Sequence, residues 1–184
     1  MGHWATYLPP PRQVWKNAHY EASARVPLII GGGARAAPRL PRGTTVSNLT
    51  SLLDVYPTLL SMAGLQQPAA GMLAGSSLSP FLGLPDAGSL PPRKPYVVSQ
   101  YHSNMGNTGA FCIVHGQYKY IAFGSGFNAT FGGYEPQLFD VAADPEELVD
   151  LSRTQPAVVA SLDRLLRSEV RCSRSRSMQS LTFG

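Results

Sequence analysis

Apolar and polar positions alternate along the chain in blocks of changing period. Residues 26–30, within "ARVPLIIGG", form a continuous apolar run closed by glycines, the pattern of a short strand buried on both faces. "TSLLDVYPTLLSMAGL" shifts to helical spacing. Leu52, Val55, Leu59 and Met62 would line its buried face, and Gly64 is placed as a C-cap. Ser51 and Asp54 have capping-pair spacing, and Pro57 must fall in the first turns or kink the helix. "GSSLSPFLG" fits one short helical turn.

The second half reads differently. "YVVSQYH" predicts a strand, and "AFCIVHGQYKYIAFG" a hairpin turning at His115-Gly116, with Gln117 and Lys119 alternating against Tyr118 and Tyr120. "GSGFNATFGGYEP" predicts a flexible loop, "QLFDV" a brief strand, and "AADPEELVDLS" a turn with acidic caps. "QPAVVASLDRLLRSEV" predicts an amphipathic helix with Pro156 in its first turn and a stripe of Val159, Leu162, Leu166 and Val170. The expected organisation is an irregular segment over 1–13, the end of an α/β domain over 14–90, and a small α+β unit of antiparallel sheet plus helix over 91–170. A disordered basic tail follows over 171–184.

Composition narrows this picture. The chain has 184 residues, 43% of them hydrophobic and only 14% charged, enough for one ordinary core. Glycine and proline number 18 and 16, so loops are many. No apolar run is long enough to span a membrane. "MGHWATYLPPPRQV" lacks the apolar centre of a signal peptide. Residues 171–184 carry Arg171, Arg174 and Arg176 and no acid. No aromatic platform accompanies them, so a nucleic-acid partner is not expected. Cys112 and Cys172 are too isolated for a disulfide framework or a metal knuckle. Two sequons, at Asn48 and Asn128, are candidate glycosylation sites and favour a secretory origin.

Candidate chemistry gathers before the first predicted strand, where Lys16, His19, Glu21 and Arg25 crowd together. They can be solvated loop residues with one structural ion pair. They can also be one wall of an anion site, since a lysine ammonium binds phosphate or sulfate as a point charge. Arg25 could be pinned by Glu21. His102 ends a predicted strand, where ligand-binding residues collect. No HExxH, GxSxG, P-loop or GxGxxG motif is present.

In combination, "KNAHYEASARVPLIIGG", "VSNLTSLLDVYPTLLSMAGL", "QYKYIAF" and "QLFDVAADPEELVDL" resemble the C-terminal part of the type I sulfatases over residues 14–170. "SQYH" comes nearest to one arylsulfatase branch. The resemblance implies an alkaline phosphatase-like α/β fold. It makes Lys16 the catalytic, substrate-binding contact to the sulfate, Glu21 and Arg25 its ordering residues, Asp54 structural, and His102 a contact to the sugar. It implies a sulfated carbohydrate or aryl sulfate as substrate, a glycosaminoglycan uronate foremost, and a lysosomal or secreted full-length protein.

The family's formylglycine, made from a Cys in C-x-P-x-R, and its calcium shell lie upstream of the matched region. No metal ligand is therefore expected in these residues. "CSRSR" at 172–176 lacks the proline and reads as coincidence. The expectation is a truncated, inactive form of a sulfatase. The alternative is a catalytically dead module that binds sulfated sugar or a protein partner.

Overall fold

A computed structural model describes residues 19–31, 40–69, 72–84, 93–102, 109–123 and 135–179, with only the backbone at 102 and 171–179. The chain divides into two compact units, Pro27–Val97 and the remainder. The division differs from the one expected at residue 90, because residues 19–26 group with the sheet.

The sheet unit holds four strands in the order β1 (Tyr96–His102), β2 (Gly109–His115), β3 (Tyr118–Phe123) and β4 (Gln137–Asp140). β2 and β3 pair antiparallel with Cys112 opposite Ile121, and β3 and β4 with Lys119 opposite Phe139. The turn is Gly116-Gln117, one residue later than expected, and Gly116 takes φ +60° there, a conformation that favours glycine. His115 is exposed beside it.

The register sorts the side chains onto two faces. Cys112, Ile121 and Phe139 form a buried cluster on one face, with Tyr20, Val114 and Phe123 packed against it. The other face carries Phe111, Ile113, Tyr120 and Leu138, all buried. On that side, α3 (Pro156–Gln179) lies on β2 and β3. Leu162 and Leu166 of its predicted stripe are buried, and the Tyr120 hydroxyl donates to Asp163 at 3.1 Å. The helix runs through residue 179, so the disorder expected from residue 171 begins too early. Arg, Ser, Met and Gln continue a helix at modest cost, and no glycine or proline stops it before Gly184.

The acidic turn after β4 is built as its residue types suggest. The Asp140 carboxylate accepts from the amides of Ala142 and Ala143, and Asp150 accepts from those of Leu138 and Ser152.

Apart from Tyr96 and Val97, which begin β1, the other unit has no strand among its described residues, and the strand expected over 26–30 is not formed. Those residues have no regular structure and no ladder partners, and Val26, Leu28 and Ile29 are exposed, Ile29 at 89%. A strand exists only through its neighbours, and no described segment lies alongside to supply the hydrogen bonds.

The helix expected over 50–65 begins as a single 3-10 turn (Leu52–Asp54) and continues as α2 (Val55–Met62). Ser51 and Asp54 form the expected capping box, and Gly64 ends the helix at φ +69°. Its burial contradicts the predicted stripe. Leu52 and Leu59 are exposed at 69% and 56%, together with Leu53 and Tyr56. The buried side is Asp54, Pro57, Thr58 and Ser61, also at helical spacing.

This polar stripe can be buried because its groups are partnered. Thr58 Oγ1 donates to the Asp54 carbonyl at 2.6 Å and accepts from the Leu78 amide at 2.9 Å. Ser61 shares a hydrogen bond with Ser77 at 2.9 Å and accepts from Gln67. A second 3-10 turn (Ser79–Phe81) follows this serine-rich loop, as "GSSLSPFLG" suggests.

Candidate functional site

The segment His19–Arg25 covers the cysteine-bearing face of the sheet, and each of its first three residues is tied down. A four-residue helix, α1 (Glu21–Ala24), turns the chain there, a feature absent from the sequence reading. His19 is buried. Its Nε2 lies 3.1 Å from the Ala110 carbonyl and its Nδ1 3.0 Å from Ser99 Oγ. A carbonyl only accepts, so Nε2 carries the proton and Nδ1 accepts from the Ser99 hydroxyl. Burial foremost, and then the nearby Lys119 charge, hold this imidazole below its ordinary value of 6.5 despite the Ala110 bond. His19 is a neutral anchor.

Tyr20 follows, with its ring edge-on to Phe139 at 6.0 Å between centroids and its hydroxyl donating to Gln137 at 2.7 Å. The Glu21 amide donates to Glu147 Oε2 at 2.6 Å.

At the centre lies Lys119, on β3, only 1% exposed. Its ammonium donates to the His19 carbonyl at 3.0 Å and to Glu21 Oε1 at 2.5 Å. Glu147 Oε1 stands 2.9 Å away, an ion pair whose angle falls outside hydrogen-bonding geometry. Lys119 was expected to alternate with Tyr118 and Tyr120 along the hairpin, with no face singled out for burial. Instead its face of the sheet is covered by the His19–Arg25 segment, and two carboxylates compensate its charge. A buried lysine is tolerated only with such partners.

Glu147, read in the sequence as part of an acidic turn, takes φ 57°, a left-handed conformation costly for a residue with a Cβ. Its bonds to Lys119 and the Glu21 amide offset that cost. The expected Glu21–Arg25 pair forms at 3.4 Å, but Arg25 is 76% exposed, so the pair contributes little. The stronger partner of Glu21 is Lys119. One signal could have found it: a lysine amid "YKYIAF" sits on the same face as Ile121 and Phe123.

Lys16 lies outside the described residues, as does Asn128. His102 is the last residue of β1, and its side chain is not described. The structure therefore brings together His19, Glu21 and Arg25 of the predicted crowd, and adds Lys119, Glu147 and Ser99. Asn48 is exposed at a bend, accessible to a modifying enzyme.

Asp54 is structural in the other unit. Its carboxylate accepts from the Ser51 and Ser76 amides at 3.0 and 2.8 Å and from Arg93 at 3.0 Å. Arg93 also donates to the Leu49 and Ser76 carbonyls and stacks over Phe81.

The described arrangement is a clamp rather than a reacting centre. The ammonium of Lys119 is engaged by three oxygens. The Cys112 thiol is buried and pushed up to about 12, chiefly by burial, so the fold holds it protonated and unreactive; its context "CIVHG" does not match C-x-P-x-R. Among the described residues no group of three or more His, Cys, Asp and Glu could hold a metal ion.

Comparison with known proteins places the chain. The family described as N-sulphoglucosamine sulphohydrolase, C-terminal, matches residues 13–174. Arylsulfatase K of Danio rerio is 37% identical over 159 residues, which are 86% of this chain and 28% of that protein. Arylsulfatase K of Homo sapiens is 36% identical over 162 residues, 85% of this chain and 28% of that one. Among solved structures, a 2-O GAG sulfatase aligns with a TM-score of 0.52 at 30% identity, over 70% of this chain and 26% of that chain. A sulfatase-like protein from Bacteroides thetaiotaomicron aligns with a TM-score of 0.53 at 30% identity, with the same coverage. The chain spans little more than a quarter of the length of these relatives. It shares their alkaline phosphatase-like fold in its small sheet and helices, and it belongs to the sulfatases, in the family of the N-sulphoglucosamine sulphohydrolase C-terminal region.

Proposed function

We propose that this chain supplies the lysine wall of the substrate pocket in a sulfatase that hydrolyses a sulfate ester on a sulfated sugar. The observation that carries the reading is the clamp on residues 19–25. Three buried or half-buried side chains and one buried ammonium hold this segment to the sheet. Lys16 stands three residues before His19, and three residues of chain reach at most about 10 Å. The tether therefore limits where its ammonium can go. A fixed cation is what a sulfate group needs, because its charge grows on the leaving oxygen as the S–O bond breaks.

The substrate class is read from the relatives. The 2-O GAG sulfatase supports a sulfated uronate, and the arylsulfatase K relatives support aryl sulfates as surrogates. His102, at the end of β1, is the residue assigned to the sugar. The exposed sequon at Asn48 supports passage through the secretory pathway to a lysosomal or extracellular site.

The test is sulfate release from a 2-O-sulfated uronate disaccharide and from an aryl sulfate, using the protein as its own cells make it. Lys16→Ala should lower kcat/KM by about 2–4 kcal/mol of transition-state stabilisation. A solvated loop lysine would leave both rates near normal, and that result would remove Lys16 from the pocket.

A further inference from the structure

Lys119 is the one fully buried cation among the described residues, and nothing in the proposed hydrolysis uses it directly. It comes from the β2–β3 hairpin, yet its contacts are with the segment that follows Lys16: the His19 carbonyl, Glu21 and, through Glu147, the Glu21 amide. A lysine on a sheet face is easily replaced by an apolar residue when only packing is required, and the buried charge makes that face harder to stabilise. What the ammonium adds is direction. It engages one backbone carbonyl and two carboxylates at once, which fixes the register and rotation of α1 as apolar contact could not.

We propose that Lys119 is a positioning residue for catalysis, holding the Lys16-bearing segment in the register at which its ammonium meets the sulfate. This rests on the reading of Lys16 as the sulfate contact.

The experiment uses the protein as its own cells make it, with three changes compared: Lys16→Ala, Lys119→Met, and the triple change Lys119→Met, Glu21→Gln, Glu147→Gln. The single change at Lys119 strands two carboxylates, and the triple change removes them. If Lys119 positions, the triple variant should regain thermal stability relative to Lys119→Met while kcat/KM stays about 100-fold below the unmodified protein, the scale of a misplacement near 1 Å. If Lys119 merely supports the fold, rate should return together with Tm, and the proposal fails.

Hydrogen exchange gives a second reading that does not need the triple variant to fold. In Lys119→Met the amides of Ser23, Ala24 and Arg25, which bond within α1, should lose protection while β2 and β3 keep theirs. Equal loss across the hairpin would overturn the proposal. No turnover in the unmodified protein, or an unimpaired Lys16→Ala, would overturn the reading of Lys16. An impaired Lys16→Ala beside a normal Lys119→Met would overturn this proposal alone.

Discussion

Removing the carboxylate of Asp54 should loosen the helical unit more than any loss of apolar contact on α2. The side chain is 5% exposed and accepts three hydrogen bonds, from the Ser51 amide, the Ser76 amide and Arg93. Asp54→Ala orphans two backbone donors, each worth about 1 kcal/mol where, as here, the residues are half-buried and water can partly replace the partner. It also breaks a charge-assisted bond to Arg93, whose side chain is 21% exposed. That contributes about another 1 kcal/mol after screening by nearby solvent.

The expected loss is roughly 3 kcal/mol. Asp54→Asn keeps one acceptor oxygen and should cost about half as much. Arg93→Met leaves the carboxylate with its two amide donors, and its cost should shrink in the Asp54→Ala background by about 1 kcal/mol. Urea unfolding followed by far-UV circular dichroism would measure the parent and all four variants, with exchange at the Ser76 amide as the local reporter. A cost below about 1 kcal/mol for Asp54→Ala, or equal Arg93→Met costs in both backgrounds, would refute the argument that this carboxylate organises the unit.

Acidification should weaken the clamp through His19. Its folded-state value is lowered, so between that value and the ordinary one of about 6.5 the unfolded chain binds the extra proton and stability falls as pH drops. Tm measured from pH 8 to pH 5 should decline across this window and decline less in His19→Gln; parallel curves would count against the assignment. Gly75→Ala should destabilise by about 1–3 kcal/mol, since an added Cβ would stand 2.0 Å from the Leu53 carbonyl oxygen at the start of the Asp54 turn; an unchanged urea midpoint would show that the loop yields. Cys112 should resist iodoacetamide in the native protein and react only on unfolding, its thiol being pushed up to about 12 and 2% exposed; native labelling mapped to the Cys112 peptide would contradict its place in the sheet.

How much of this was legible depended on whether a residue's neighbours were local. The hairpin, the capping box of Ser51 and Asp54, and the Leu162–Leu166 stripe each rest on residues within a few positions of one another, and each formed. The strand over 26–30 needed partners that a run of apolar letters cannot supply. The face of α2 was misread because Ser61 meets Ser77, and Thr58 accepts from the Leu78 amide, only once the loop at 76–79 folds back. At the site, the Glu21–Arg25 pair was visible at i,i+4 spacing. Lys119 was hidden because the carboxylates that allow its burial lie 98 residues before it and in the turn after β4. The family resemblance was carried by ordered motifs, which survive where burial cannot be read.

The distance along the chain between the halves of the clamp bears on how the protein is made. Glu21 leaves the ribosome 98 residues before Lys119 and 126 before Glu147. At about 5–20 residues per second, the segment waits roughly 5–25 s for its partners. The β2–β3 hairpin closes in about 1–10 μs once synthesised. The His19–Arg25 segment is therefore bound to dock late in synthesis, and until then Tyr20, which packs on the sheet in the finished fold, is open to chaperones. A rare-codon pause placed between residues 30 and 110 would lengthen that exposure without altering a single side chain of the finished fold.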